Sequence, residues 1–506
     1  MRIPFPERIP IEGAGLFAAA LFAIQSVERT PFYFSVGCFA FILIATFAFN
    51  TAGGLTRPSG AYVFFYSTLV VIVGLCYKAY LGEPADSNLR DPHTTIQVYV
   101  VGISAMFATV LVNRRIARRT GLLENVLKDR DMYRATIGCI VLGIGAPLLL
   151  AMLGSNGRVL ATAFAQLNDL LPVAIILGVI YEIRRSGGTR SVNLPVLLAA
   201  AYFFIQGVLG FSKQGMFTPV IAWAIPVAAL QYRLSRAQIV GALAVLYLAF
   251  NFLVPYAQFG RGQVNSETTY NERIAIALHY FTHPAETRTL YKESTDAEAE
   301  EETVHYYNTP QGFFDRLQFI SPDDALIDIT DQGKVFGLLP IPTAFLNTIP
   351  HVFWPDKPSI NFGNIYAHEI GGMPEDDTTT NISFSPTSEA YHLDRWVGVL
   401  VVAPAIWLLL FVVYDSLCGD TRNSPWGLLV VTLISHFAPE GALVGAIYFM
   451  TFGAAALVFC AFFAAWVAPI CSFVVLGPDR RDFALQTYVS SGKAAASPRP
   501  AGSRVR

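Results

Sequence analysis

Glu389 and His392, in the stretch "TNISFSPTSEAYHLDRWVGVL", stand three positions apart, a spacing that sets a carboxylate and an imidazole on one helix face, with Trp396 further along it. Groups of these types hold and move protons. Cations gather in other segments: Lys213 in "GFSKQGMFTP", Arg261 in "FGRGQ", and Arg316, Lys357 and Arg395. Cations fixed at a lipid surface suit a phosphate or diphosphate ligand, because a guanidinium grips phosphate oxygens with two prongs. Anchoring to lipid headgroups is the competing role for each of them.

Other chemistries fit less well. "HYFTH" sets His279 and His283 four apart, but no glutamate follows in the metalloprotease pattern and Pro284 ends the helix, so no metal is expected. The chain carries no Walker-type phosphate loop, Rossmann fingerprint or serine-nucleophile elbow, which argues against a nucleotide-driven enzyme; no cofactor and no nucleic-acid partner are expected. None of the 6 cysteines lies between residues 257 and 394, which excludes a disulfide framework and a thiolate metal site from that segment.

These residues must be positioned by membrane helices. Of 506 residues, 53% are hydrophobic and only 14% charged, the composition of an all-α polytopic integral membrane protein. Apolar runs predict about 12 spans, centred near residues 19, 41, 70, 103, 144, 174, 202, 223, 247, 405, 431 and 460. The first, "GAGLFAAALFAIQS", lacks a convincing cleavage site and reads as a retained span. Positive charge recurs in alternate connections, "NRRIARRTGLLENVLKDRDMYR", "EIRRSGGTR", "YRLSR" and "GPDRRD", which places these in the cytoplasm with both termini. The chain then divides into nine spans over 1–256, a large extracytoplasmic loop over 257–394, three spans over 395–476 and a disordered basic tail over 477–506. On this map all 8 histidines fall outside or at outer span ends, where avoidance of lipid would also put them.

A loop of that length is usually functional, and helical pieces are legible in it. Thr269 with Glu272 forms a capping box before "RIAIALHYF", and "SPDDALIDITDQG" has Ser321 as cap, Pro322 at the first helical position and Gly333 as stop. "KESTDAEAEEETVHYYNTPQG" reads as a solvated, mobile acidic stretch. The apolar run 335–355, broken by prolines at 340, 342, 350 and 355, predicts an interfacial or re-entrant element. Ser385 caps the next helix and Pro386 opens it.

"IPHVFWPDKPSINFGNIYAHEIGG", followed by the Glu389 stretch, resembles the Wzy-type O-antigen and exopolysaccharide polymerases, the oligosaccharide repeat-unit polymerase family. The likeness rests on Pro350, Trp354, Pro355, Lys357 and Pro358, then Ser385, Pro386, Glu389, Tyr391 and Gly398. His351 stands where the family pattern has arginine, and "WVG" replaces its Phe-Gly. The general design is also similar to membrane-embedded, GT-C-like glycosyltransferases.

The resemblance implies a reaction at the outer face of a bacterial inner membrane. A hydroxyl of one polyprenyl-diphosphate-linked oligosaccharide attacks the anomeric carbon of a growing glycan and releases its carrier. Lys213, Arg261, Arg316 and Lys357 are then candidates for holding the diphosphate, and Glu389, His392 and His351 for positioning or deprotonating the hydroxyl. Glu389 also suits a helix start simply as a dipole-favoured carboxylate. Trp354, Tyr366 and Tyr391 could stack on sugars or sit at the membrane interface. Besides membrane lipids, a chain-length regulator and a flippase are implied as partners. The competing functions are O-antigen ligase, and a flippase or secondary transporter, although transporters usually show internal repeats and polar residues at mid-membrane depth.

Overall fold

The computed structural model describes residues 1–152, 169–264, 268–301, 305–311, 314–349, 354, 360–373, 377 and 381–477. His351 and Lys357 lie outside the described residues, as does the expected tail beyond Gly477. The described chain is helical throughout, with one isolated bridge between Arg2 and Arg233.

From the N-terminus the helices are α1 (Ile11–Val27), α2 (Phe32–Ala52), α3 (Pro58–Leu81), α4 (Pro92–Ile116), α5 (Met132–Met152) and α6 (Leu170–Arg185). They continue with α7 (Leu194–Leu209), α8 (Lys213–Ala229) and α9 (Arg236–Gly262). The long connection carries α10 (Tyr270–Thr282), α11 (Pro284–Glu301), α12 (Ile320–Asp331), α13 (Pro340–Asn347) and α14 (Phe362–Glu369). The chain closes with α15 (Pro386–Cys418), α16 (Pro425–Glu440) and α17 (Ala442–Leu476).

Every expected span centre falls on one of these helices. Among the described residues 6 helices, α2, α3, α4, α9, α15 and α17, are long and apolar enough to cross a bilayer, and α1 and α7 are shorter apolar helices. The bundle is knit by α2 on α4, α5 on α6 and α16 on α3, around a core that includes Trp407, Trp426, Tyr62 and Phe41.

The basic connections meet at one end. Leu234 donates its N–H to Met1 O (2.8 Å), Arg57 reaches the carbonyls of Arg118 and Arg119, and Arg422 pairs with Glu7 and Asp420. Within the bundle nearby, Asp415 of α15 accepts from the Ser59 N–H (3.0 Å), the Ser59 hydroxyl (2.7 Å) and the Asn113 amide (2.7 Å), tying α3 and α4 to α15. A buried carboxylate is tolerated only with such partners.

At the opposite end the long connection folds onto the bundle. The Thr269–Glu272 capping box is present and Gly333 (φ 108) stops α12 as expected. Three expectations change. Ser321 does not cap α12, which begins at Ile320; the Gln318 side chain satisfies the Ser321 N–H instead (3.1 Å). The acidic stretch is helical up to Glu301, in keeping with its alanines and glutamates, and "YYN" beyond it is docked: Tyr306 and Tyr307 are buried. The Lys78 ammonium donates to Tyr306 O (2.6 Å) and lies 3.9 Å from the Tyr306 ring centre, while the Tyr306 hydroxyl reaches Ala85 O (2.9 Å).

The third change concerns α15. It is bent at Asp394 and Arg395 (φ 44, ψ −131), so Trp396 leaves the face shared by Glu389 and His392 and packs edge-on against Tyr391. The bend frees the carbonyls of His392 and Leu393, which accept from the N–H groups of Phe336 and Gly337 (3.0 Å each). The proline-broken run forms the eight-residue α13, too short to span, with Leu339 and Leu346 exposed.

Candidate functional site

Ser385 opens α15 by accepting the Ser388 N–H (3.3 Å), and Pro386 occupies the first turn where no donor is needed. This start is locked to the loop by Asp323 of α12, whose carboxylate accepts from Ser385 N (2.9 Å), the Ser388 hydroxyl (2.5 Å) and the Tyr99 hydroxyl of α4 (2.8 Å). Its neighbour Asp324 accepts from the N–H groups of Arg90 and Asp91 and the Thr95 hydroxyl (2.8 Å). Burial pushes both acids up to about 6, against the opposing pull of these hydrogen bonds.

Two of the expected catalytic residues therefore sit in a rigid frame. The Glu389 side chain is buried, and one carboxylate oxygen accepts from the N–H groups of Leu443 and Val444 at the start of α17. The His392 side chain is fully buried, with Nδ1 2.8 Å from the Thr330 hydroxyl and Nε2 3.0 Å from a Glu369 carboxylate oxygen. Tyr366 stands edge-on to His392 (5.0 Å, 84°), and Phe336 lies 5.8 Å from it. The Tyr366 hydroxyl faces Glu389 without reaching a well-formed hydrogen bond; burial, then the negative charge of Glu389 and Glu369, raises its pKa. Around this group α12, α14 and the Phe384 segment form a small apolar core of Leu326, Ile329, Phe362, Tyr366, Ile370 and Phe384.

Glu369 is the member that reaches solvent: its side chain is 31% exposed, against 0% for His392. Partial burial raises its pKa and Lys334 opposes this. The Thr330 hydroxyl donates its one hydrogen to Leu326 O (2.6 Å), so it accepts from His392 Nδ1–H, and Nε2 meets the Glu369 carboxyl across a shared proton. The arrangement suits Glu369 to take a proton at the surface, with the imidazole oriented behind it.

The remaining expected residues are distributed. Tyr391 spends its hydroxyl on Asp331 (2.9 Å). Lys213 starts α8 and Arg261 lies in the last turn of α9, where its guanidinium reaches Phe211 O (3.4 Å); both flank a separate apolar cluster of Phe211, Met216, Tyr256, Ala257 and Ala277. Arg316 ends the short turn Phe314–Arg316, and Trp354 is half-buried.

Sequence reasoning missed Glu369, Thr330, Asp323 and Lys78. For Glu369 a signal existed: it closes "FGNIYAHE" just before Gly371 and Gly372, and a carboxylate in the last turn of a helix opposes the dipole. Thr330 and Asp323 carry no local mark, because their partners are 62 and more positions away.

No protein-family model matches the chain, and no curated protein or solved structure matches it at a significant level.

Proposed function

We propose that this chain is a membrane glycosyltransferase that polymerises polyprenyl-diphosphate-linked oligosaccharide repeat units into a surface polysaccharide. The observation that supports it most is the solvent-reaching Glu369 carboxylate, backed by His392 and Thr330, on a loop folded over one end of an apolar helical bundle. On this reading about 12 spans alternate across a bacterial inner membrane, with the basic connections inside and α10 to α14 outside.

The acceptor sugar hydroxyl attacks the anomeric carbon of the lipid-linked glycan. A new carbon–oxygen bond forms, the bond from that carbon to the diphosphate oxygen breaks, and the carrier diphosphate departs with the electron pair. The hydroxyl proton passes to Glu369. His392 is a positioning residue, since both its nitrogens are engaged, and Glu389 fixes α15 against α17. Lys213, Arg261, Arg316 and Lys357 stand as candidates for meeting the charge of the departing diphosphate, Lys213 and Arg261 from beside the separate Phe211 cluster.

The test compares lipid-linked oligosaccharides, by mass spectrometry, in cells with and without this chain, with sidedness read in intact spheroplasts. Single repeat units accumulating on the outer face, with polymer lost, support polymerisation. Single units trapped on the inner face mean a flippase, and long unattached polymer means a ligase.

A further inference from the structure

Between α10 and α11 the chain turns a corner. Helix α10 ends at Thr282, His283 takes a non-helical geometry (φ −116, ψ 60), and Pro284, which has no N–H to continue the ladder, begins α11. The corner carries Glu286 back against the last turn of α10. His279 Nε2 is 3.7 Å from a Glu286 carboxylate oxygen, and the His279 and His283 rings are 4.7 Å apart with an interplanar angle of 33°. One donor atom from each of His279, His283 and Glu286 lies within 4.8 Å of the others, and all three residues are exposed.

A second observation concerns the tautomer. His283 Nδ1 is 2.9 Å from the backbone oxygen of His279. A carbonyl only accepts, so Nδ1 carries hydrogen, and in the neutral ring Nε2 keeps its lone pair. An imidazole held by one nitrogen on a backbone carbonyl is how proteins orient histidine metal ligands.

We propose that His279, His283 and Glu286 bind a zinc-class divalent ion at this corner, with a fourth position left to water. Two imidazoles and one carboxylate suit zinc and its neighbours; calcium and magnesium prefer sites made wholly of oxygen. Donors on a tetrahedral zinc stand roughly 3.3 Å apart, given bonds of about 2.0–2.1 Å. The 3.7 Å already present between His279 and Glu286 closes to this by side-chain rotation. The glutamate that a metalloprotease helix would place between its histidines is replaced by one delivered from the next helix, so the ion would brace the corner. The packing of α10 on α9, through Tyr280 on Phe259 and Phe281 on Tyr256, fixes one arm of that corner. This site does not depend on the proposed glycosyl transfer.

The experiment uses the full chain in detergent, stripped with chelator and titrated calorimetrically with zinc chloride. Saturable binding of one ion per chain is expected, weakened at least tenfold in His279→Ala and in His283→Ala and unchanged in the distant His93→Ala. In parallel, zinc should shield His279 and His283 of the unaltered protein from diethyl pyrocarbonate, read by peptide mass spectrometry, so a variant that folds poorly leaves the question answerable. Absence of saturable binding, or equal modification of both histidines with and without zinc, overturns the proposal.

Discussion

Glu369 and Asp323 make opposite uses of a carboxylate. Glu369 keeps contact with water and leans on an imidazole, so Glu369→Gln preserves size and packing while removing the proton acceptor. On the proposed polymerase function, the expected result is normal membrane abundance with polymer synthesis reduced on the order of 10²- to 10⁴-fold, measured as radiolabelled sugar incorporated into long chains. Asp323 is buried and holds three donors from two elements. Its folded pKa, like that of Asp324, is raised to about 6 from an unfolded value of about 3.9. Between those values each of these two acids binds more protons in the folded chain than in the unfolded one, so their contribution to stability falls as pH rises from about 4 to 6 and levels off above. The share of Asp323 is read as the difference in melting temperature, in detergent across this window, between the unaltered protein and Asp323→Asn. In Asp323→Asn the slope is expected to shrink, at an overall loss of about 2 kcal/mol from donors left unmatched.

At the scale of elements, the bend in α15 decides how the site is assembled. Arg395 sits at positive φ, which L-residues adopt at a strain on the order of 1–3 kcal/mol, while its guanidinium accepts the task of capping α12 by donating to Thr330 O (3.1 Å) and Asp331 O (3.3 Å). Both Arg395→Ala and Arg395→Gly lose the cap, but only glycine relieves the strain. The glycine variant should therefore melt higher than the alanine variant, by the equivalent of about 1 kcal/mol. Just beyond, a Cβ on Gly398 would stand 1.7 Å from the Ala390 carbonyl oxygen. Gly398→Ala should consequently deplete the protein from membranes, as seen by immunoblot.

The elements themselves were largely legible, because apolar runs and local caps such as Thr269 with Glu272 and Ser385 with Pro386 are encoded within a few positions. The bend was not, since "LDRW" contains neither proline nor glycine and the strain at Arg395 is sustained by partners 64 and 65 positions distant. For the same reason Glu389 and His392 could be found by spacing, yet their burial and the role of Glu369 could not.

On the scale of the whole molecule, the helices differ in how far they depend on one another. The most apolar window of α3 is 61% buried inside the protein, and that of α9 only 11%, with Val240, Leu243 and Tyr247 turned outward. At 27 residues α9 is about 40 Å long, against a hydrocarbon core of about 30 Å. That window leans mainly on lipid, whose thickness biases its tilt through hydrophobic mismatch, while the last turns, with Val254, Tyr256 and Ala257 buried, are held by protein. Reconstitution into bilayers of 14-carbon rather than 18-carbon chains should increase its tilt, measured as a changed distance between spin labels at position 258 and at the exposed position 97 of α4. Because Arg261 sits on the last turn of α9, beyond turns held by protein, membrane thickness is predicted to act as a mechanical input that reaches the loop end of this protein only through that packed segment.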